Sequence, residues 1–405
     1  MRIAMVSEHA SPLAALGGVD AGGQNVYVAR LTEELARRGH DVTVYTRRDS
    51  TDLPDRVPLP GGGVVEHVPA GPPEPVPKDA LLPYMPGFGA HLYRVWLDER
   101  PDVVHAHFWM SGVASQLGAY SLGIPVVQTF HALGTVKRRH QGPDDTSPAE
   151  RVGIERQIGR TCEQVLATCT DEVRELAAMG VPRRRMSVVP CGVDAARFHP
   201  GADTADVPGR ERRHRLLSCG RLVRRKGYDQ AIRALTRIPD TELLVAGGPP
   251  PLELHRDPEA ERLLKLAEEE GVADRVRLLG AVDPRRMPAL MADADLVLCT
   301  PVYEPFGIVP LEAMACGTPV VATGVGGHQD SVADGRTGRL VTPGDPEAVA
   351  DAVRDLLEHE HKRRRFGEAG RERVLARFTW QRVADGVEEV YRQTARGHEL
   401  RTEVA

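Results

Sequence analysis

The chain has 405 residues, enough for two α/β domains of about 200 residues, each with its own core. Its 57 acidic and 52 basic residues leave a net charge of −5, which excludes the broad basic field of a nucleic-acid binder. Six scattered cysteines without a C-x-x-C pair exclude a disulfide framework and a zinc knuckle, and no apolar run approaches the roughly 20 residues that span a bilayer.

From the amino end, RIAMVS (2–7) predicts a strand with no leader peptide before it, so a cytoplasmic location is expected. The Gly-rich loop GGVDAGGQNVYV (17–28) carries Gly17, Gly18, Gly22 and Gly23 into a helix expected over 25–38. Val26, Leu31 and Leu35 share its apolar face, and Gly39 stops it. Strands follow at 41–46, 102–108 and 125–131, and 187–194 closes this half. The Pro- and Gly-rich stretch 50–88 is expected to be irregular. The linker is placed at 202–213, where composition turns polar. The pattern then restarts with strands at 215–222, 241–247, 275–280, 295–300, 319–323 and 338–342. Asp345-Pro346-Glu347 starts a helix as N-cap, N1 proline and first-turn acid. An amphipathic helix at 380–396 is expected to pack back on the first half. Alternating strands and helices in both halves imply two parallel, doubly wound sheets.

The chemistry concentrates in 304–328, EPFGIVPLEAMACGTPVVATGVGGH. Glu304 and Glu312 lie eight positions apart between an apolar strand and a helix start, and Gly324, Gly326 and Gly327 follow a second strand. Carboxylates accept hydrogen bonds from sugar and ribose hydroxyls, and the N–H groups of a helix start suit a diphosphate. A nucleotide-sugar offers both groups. The basic turn GRLVRRKG (220–227) follows the first strand of the second half, and Arg224, Arg225 and Arg183 to Arg185 read as solvated. His105 and His107 form an H-x-H with no acidic or cysteine partner nearby, so they are not expected to bind a metal.

With Glu304, Pro305, Phe306, Gly307, Glu312, Ala313, Gly317, Pro319 and Val320 in place, 304–320 resembles the Glu-x7-Glu signature of family 4 retaining glycosyltransferases. The Gly-rich loop resembles those of sucrose-phosphate synthases and of the mycothiol-pathway enzyme that joins N-acetylglucosamine to inositol phosphate. Similarity to the latter runs over nearly the whole chain, including HAHFWMSG (105–112) and 131–151. The resemblance implies the GT-B fold: two Rossmann-like doubly wound domains facing a cleft. The first, 1–200, would bind the acceptor, and the second, 209–379, the nucleotide-sugar. Glucose or N-acetylglucosamine would pass from a UDP-sugar to a hydroxyl of a small acceptor, phosphorylated or not. Configuration would be retained, the leaving phosphate itself accepting the acceptor's proton. No metal or further cofactor is implied for donor binding.

Carried over by motif, Gly22 and Gly23 lie beside the donor diphosphate and Arg221 and Lys226 contact it. Glu304 meets the sugar, Glu312 the ribose, and Phe306, Gly307 and Ile308 complete the donor site. His131, Arg221, Lys226 and Glu304 form the implied catalytic set, and Asn25, Lys78, Phe108, His131 and Arg151 the acceptor site. Two family hydroxyls are missing, since a Tyr becomes Phe108 and a Thr becomes Ala132. Each lost hydrogen bond to a charged group is worth about 1.5–3 kcal/mol, which argues against inositol phosphate. Lys137, Arg138 and Arg139 either hold another anionic acceptor or form a solvated loop. A GDP-mannose transferase, a nucleotide-sugar epimerase and a non-catalytic sensor stay open as alternatives, as does a homodimer.

Overall fold

The computed structural model of the protein describes residues 1–14 and 22–404. The chain divides into two compact units, Met1–Pro190 with Trp380–Ala405, and Cys191–Thr379. The division falls at 190/191, ahead of the expected end of the first domain at 200 and of the 202–213 linker. The cause is packing: Val193 and Phe198 are buried in the second unit's core, and the Val193 N–H donates to the Phe378 carbonyl (2.8 Å).

Among the described residues the first unit holds β1 (Arg2–Val6), β2 (Asp41–Arg47), β3 (Arg56–Pro58), β4 (Val64–Val68), β5 (Val103–His107), β6 (Val126–Thr129), β7 (Gln164–Ala167) and β8 (Met186–Val188). They form one sheet in the order β3-β4-β2-β1-β5-β6-β7-β8. All pairs are parallel except β3 with β4. The order reverses between β1 and β5, and the carboxyl ends of strands at such a point are where doubly wound sheets hold ligands. The first helix is Gly23–Arg37. The last, Trp380–Val404, joins this unit through Arg38, which donates to Asp385 and Glu388 at 2.9 Å each.

Two expectations fail locally. The 50–88 stretch is not wholly irregular: VVEHV forms β4 beside β2, and Arg56–Pro58 pairs back on it. Five residues, two of them the polar Glu66 and His67, between glycines and prolines are too few to stand out by periodicity. The strand at 187–194 stops at Val188, because Pro190 has no N–H to offer a ladder.

The second unit holds β9 (His214–Cys219), β10 (Thr241–Ala246), β11 (Val276–Gly280), β12 (Leu296–Cys299), β13 (Val320–Thr323) and β14 (Gly338–Val341). The order is β11-β10-β9-β12-β13-β14, all parallel, with its reversal between β9 and β12. Successive residues feed opposite faces: Leu216, Leu243 and Leu296 enter one core with Ile232 and Val353. Leu217, Leu244 and Val297 enter the other with Leu311 and Met314. Both faces are covered, as parallel sheets require. Asp345 caps its helix as expected, its carboxylate accepting from the Ala348 N–H (2.9 Å). All six cysteines are free thiols, and among the described residues no helix is long and apolar enough to cross a membrane.

Candidate active site

In the second unit, the turn after β9 and the loop after β12 meet at the sheet's carboxyl edge. Lys226 Nζ lies 2.5 Å from Glu304 Oε2, the two side chains being 16% and 13% exposed. The backbone enforces this meeting. Gly227 adopts φ +66°, and a Cβ there would stand 2.0 Å from the Thr300 carbonyl oxygen. Thr300 Oγ1 donates to the Gly227 carbonyl (2.8 Å) and the Val302 N–H to that of Arg225 (2.9 Å). On the other side Gly326, at φ +46°, approaches the Glu304 carbonyl so closely that a Cβ would stand 2.0 Å from it, and the Gly327 N–H donates to that oxygen (2.9 Å). Glycine is the residue that allows such contacts at positive φ.

Burial alone would raise the Glu304 carboxyl, but Lys226, His328 and Arg225 outweigh it and hold the group at about 2. Glu304 is therefore a fixed carboxylate that accepts hydrogen bonds. Glu312 sits in the helix Ile308–Ala315, which opens at Gly307 (φ +73°). Burial pushes Glu312 up to about 7, with Arg197 opposing the rise. Phe306, Gly307 and Ile308 lie at this helix start, whose first N–H groups lack intrahelical partners. Arg221 is on the exposed part of the turn. His328, unassigned in the sequence reading, is buried beside Glu304 and hydrogen-bonds the Thr323 carbonyl through Nδ1 (3.0 Å). Its only signal was its place after GVGG.

In the first unit, β5 and β6 end in two non-glycine residues at positive φ, Phe108 (81°) and His131 (62°). Each such backbone costs on the order of 1–3 kcal/mol and marks a constrained site. Gln128 holds the pair of strand ends, its amide donating to the Phe108 and Thr129 carbonyls at 3.0 Å each. His131 is buried and hydrogen-bonded to His107, Nε2 to Nδ1, at 3.0 Å. His105 lies between the Tyr391 hydroxyl (2.7 Å) and Thr129 Oγ1 (2.9 Å). Burial drives all three imidazoles down, His107 to about 3, so they are neutral.

The expected acceptor residues gather around Phe108. Lys78 Nζ is 5.9 Å and Arg151 Cζ 5.0 Å from its ring centroid, within cation–π range. Arg151 is buried and already committed to Glu155 (2.7 Å), Ser147 (3.1 Å) and the Ala132 carbonyl (2.6 Å). Asn25 is likewise engaged: Oδ1 accepts from the Gly22 N–H (3.0 Å) and Nδ2 donates to the Ser11 carbonyl (2.9 Å). It shapes the helix start as well as lining a cavity of about 450 Å³ with Glu8, His9, Arg47, His67 and Lys78. Gly22 precedes the helix with extended backbone, and among the described residues a Cβ on it would meet nothing within 4 Å. Gly23 is the first helical residue; Gly17 and Gly18 lie outside the described residues. Lys137 is paired with Asp145 (3.0 Å) and Arg139 with Glu175 (2.6 Å), while Arg138 donates to the Ala149 carbonyl (3.1 Å).

Comparison with known proteins agrees with both halves. Residues 21–197 match the model of "Glycosyltransferase Family 4" and 203–373 that of "Glycosyl transferases group 1". A D-inositol 3-phosphate glycosyltransferase from Acidothermus cellulolyticus is 37% identical over 96% of this chain and 90% of its own. One from Mycolicibacterium smegmatis is 35% identical over 95% and 89%. Among solved structures, the sucrose-phosphate synthase of Thermosynechococcus elongatus superposes with a TM-score of 0.87 at 32% identity, covering 97% of this chain and 98% of that one. The Anabaena protein HepE, solved with UDP and glucose, gives 0.75 at 20% identity, covering 97% and 100%. The chain belongs to the family 4, group 1 glycosyltransferases and has their two-domain GT-B fold.

Proposed function

We propose that this glycosyltransferase moves glucose or N-acetylglucosamine from a UDP-sugar to a hydroxyl of a small acceptor, with retention at the anomeric carbon. The observation that carries the donor half is the Lys226–Glu304 pair, fixed by glycine contacts at the carboxyl edge of β9 and β12. As the sugar–oxygen bond breaks, negative charge grows on the departing diphosphate. Lys226 and Arg221 stabilise that charge. Glu304 then accepts from the sugar hydroxyls and Glu312 from the ribose. Gly22 is assigned beside the diphosphate by motif, and among the described residues a Cβ there would meet nothing within 4 Å. Support for UDP comes from the UDP and glucose bound to HepE, a protein that shares the fold. No dedicated base is assigned: the leaving phosphate takes the acceptor's proton, and the rate comes from alignment and electrostatics. No metal is needed for donor binding in this scheme.

The acceptor lies in the Lys78 cavity of the first unit. The inositol-phosphate enzymes among the relatives make an inositol phosphate the first acceptor to try. Phe108 and Ala132 offer no hydroxyls to a phosphate, so a different polyol or sugar phosphate is favoured. The test is UDP release from UDP-glucose and UDP-N-acetylglucosamine across D-inositol 3-phosphate, free inositol and fructose 6-phosphate. Product NMR then reads the anomeric configuration. Inverted product, or donor turnover that needs no acceptor and yields an epimer, would sink the reading.

A further inference from the structure

The cavity of the first unit holds a guanidinium to which the motifs give no role. Arg47 is the last residue of β2, at the carboxyl edge of the sheet and next to β1, where the strand order reverses. It lines the cavity of about 450 Å³ together with Lys78, yet is only 6% exposed. Nη1 donates to the Arg48 and Pro72 carbonyls (3.1 and 2.7 Å), and Nη2 to the Glu74 carbonyl (2.6 Å). These bonds use three of the five N–H donors of a guanidinium. The two left are Nε–H and the second hydrogen on Nη2. They form the edge of the fork that grips a carboxylate or phosphate with two parallel bonds.

The carbonyls hold this group in place but carry no net charge to balance it. Among the described residues no carboxylate is ion-paired with Arg47. Of the acids that line the cavity, Glu8 is engaged by His9 (2.7 Å) and Ser111, and Asp49 is exposed. Burial pulls the Arg47 pKa down, and Asp49, Tyr84 and Glu74 offset only part of the effect. A buried charge without a counter-ion is costly, and an anion on the ligand would supply one. The Phe108 end is the reverse case. Arg151 is also buried, but Glu155 neutralises it at 2.7 Å, and Phe108 and Ala132 bring no hydroxyl.

We infer that Arg47 is the anion anchor of this cavity: it takes the phosphate or carboxylate of an anionic acceptor side-on through Nε and Nη2, with Lys78 as the second cation. This rests on the reading above that the acceptor enters the cavity. It also orients the acceptor, whose charged end lies toward β2 and away from Arg151.

The experiment compares fructose 6-phosphate, gluconate and fructose, which offer a phosphate, a carboxylate and no anion. Crystals of the wild-type protein soaked with either anion should show its charged group within hydrogen-bond distance of Arg47 Nε and Nη2. Arg47→Lys keeps the charge and loses the fork. With UDP-glucose as donor, it should raise the KM of the anionic acceptor by about tenfold or more and leave that of fructose within about threefold. Melting curves of the variant check the brace to Pro72 and Glu74; if it does not fold, the wild-type crystals decide alone. An anion seated against Arg151, neither anion at Arg47, or equal KM changes for charged and neutral acceptors overturns the inference. An anion bound at Arg47 without turnover of any of the three would sink the acceptor reading and leave the anchor standing.

Discussion

At the scale of single residues, Lys226 and Glu304 depend on each other. The lysine cancels the burial cost of the carboxylate, so replacing it would remove the proposed diphosphate contact and leave the carboxylate without its closest partner. Lys226→Ala is expected to weaken UDP binding by about 1.5–3 kcal/mol, the worth of a charge-assisted hydrogen bond, or roughly 10- to 150-fold. Titration calorimetry reads this directly, and unchanged affinity would remove Lys226 from the donor site. Lys78→Ala tests the acceptor half. A raised KM for a phosphorylated acceptor but not for its dephosphorylated counterpart would place the phosphate at Lys78, and equal KM values would mean that the acceptor's charge is not read there. The motif reading named Lys226, Glu304 and Glu312 because residue types and spacing survive in one dimension. It missed His328 and the His107–His131 hydrogen bond, because nothing in the local sequence says that strand ends 24 positions apart bring two imidazoles within 3.0 Å.

At the scale of elements, glycines divide into those the fold needs and those it does not. Gly326 stands at positive φ against the Glu304 carbonyl, whereas Gly22 has extended backbone and, among the described residues, no atom within 4 Å of an added Cβ. Gly326→Ala should therefore cost on the order of 1–3 kcal/mol of stability, through strain and a displaced loop, and reduce nucleotide affinity with it. Gly22→Ala should change stability by no more than about 1 kcal/mol, the range of an N-cap substitution, yet weaken UDP-sugar binding if the diphosphate approaches there. Melting curves with and without UDP-glucose separate the two cases; a stable Gly22→Ala protein with full donor affinity would move the diphosphate elsewhere. Strand-and-helix alternation was readable in most elements because parallel strands are continuous apolar runs. The exceptions have physical causes: β4 is a short run among turn residues, and β7 spans only Gln164–Ala167.

For the whole molecule, two half-buried glutamates set a pH dependence. Burial raises Glu172 and Glu312 from 4.5 to about 7 each, against hydrogen bonds from Thr168 to the first and Arg197 beside the second. An acid with a raised folded pKa holds its proton more tightly when folded. The stability it contributes is present below about pH 4.5, is lost as pH rises toward 7, and stays lost above. Glu172→Gln should raise stability at pH 8 by on the order of 1–2 kcal/mol and leave it nearly unchanged at pH 4.5. Equal effects at both pH values would exclude ionisation as the cause. The division at Pro190 was not readable from composition, because the polar stretch 202–213 looks more like a linker than the segment whose Val193 and Phe198 enter the second core.

The central claim is that the second unit binds a uridine diphosphate sugar through Lys226 and Glu304. Calorimetric titration of the intact protein with UDP, GDP and ADP in parallel tests it most directly. UDP is expected to bind tightest and to lose affinity in Lys226→Ala. Preference for GDP would reassign the donor to a guanosine nucleotide, and absence of binding by all three would contradict a functional donor site.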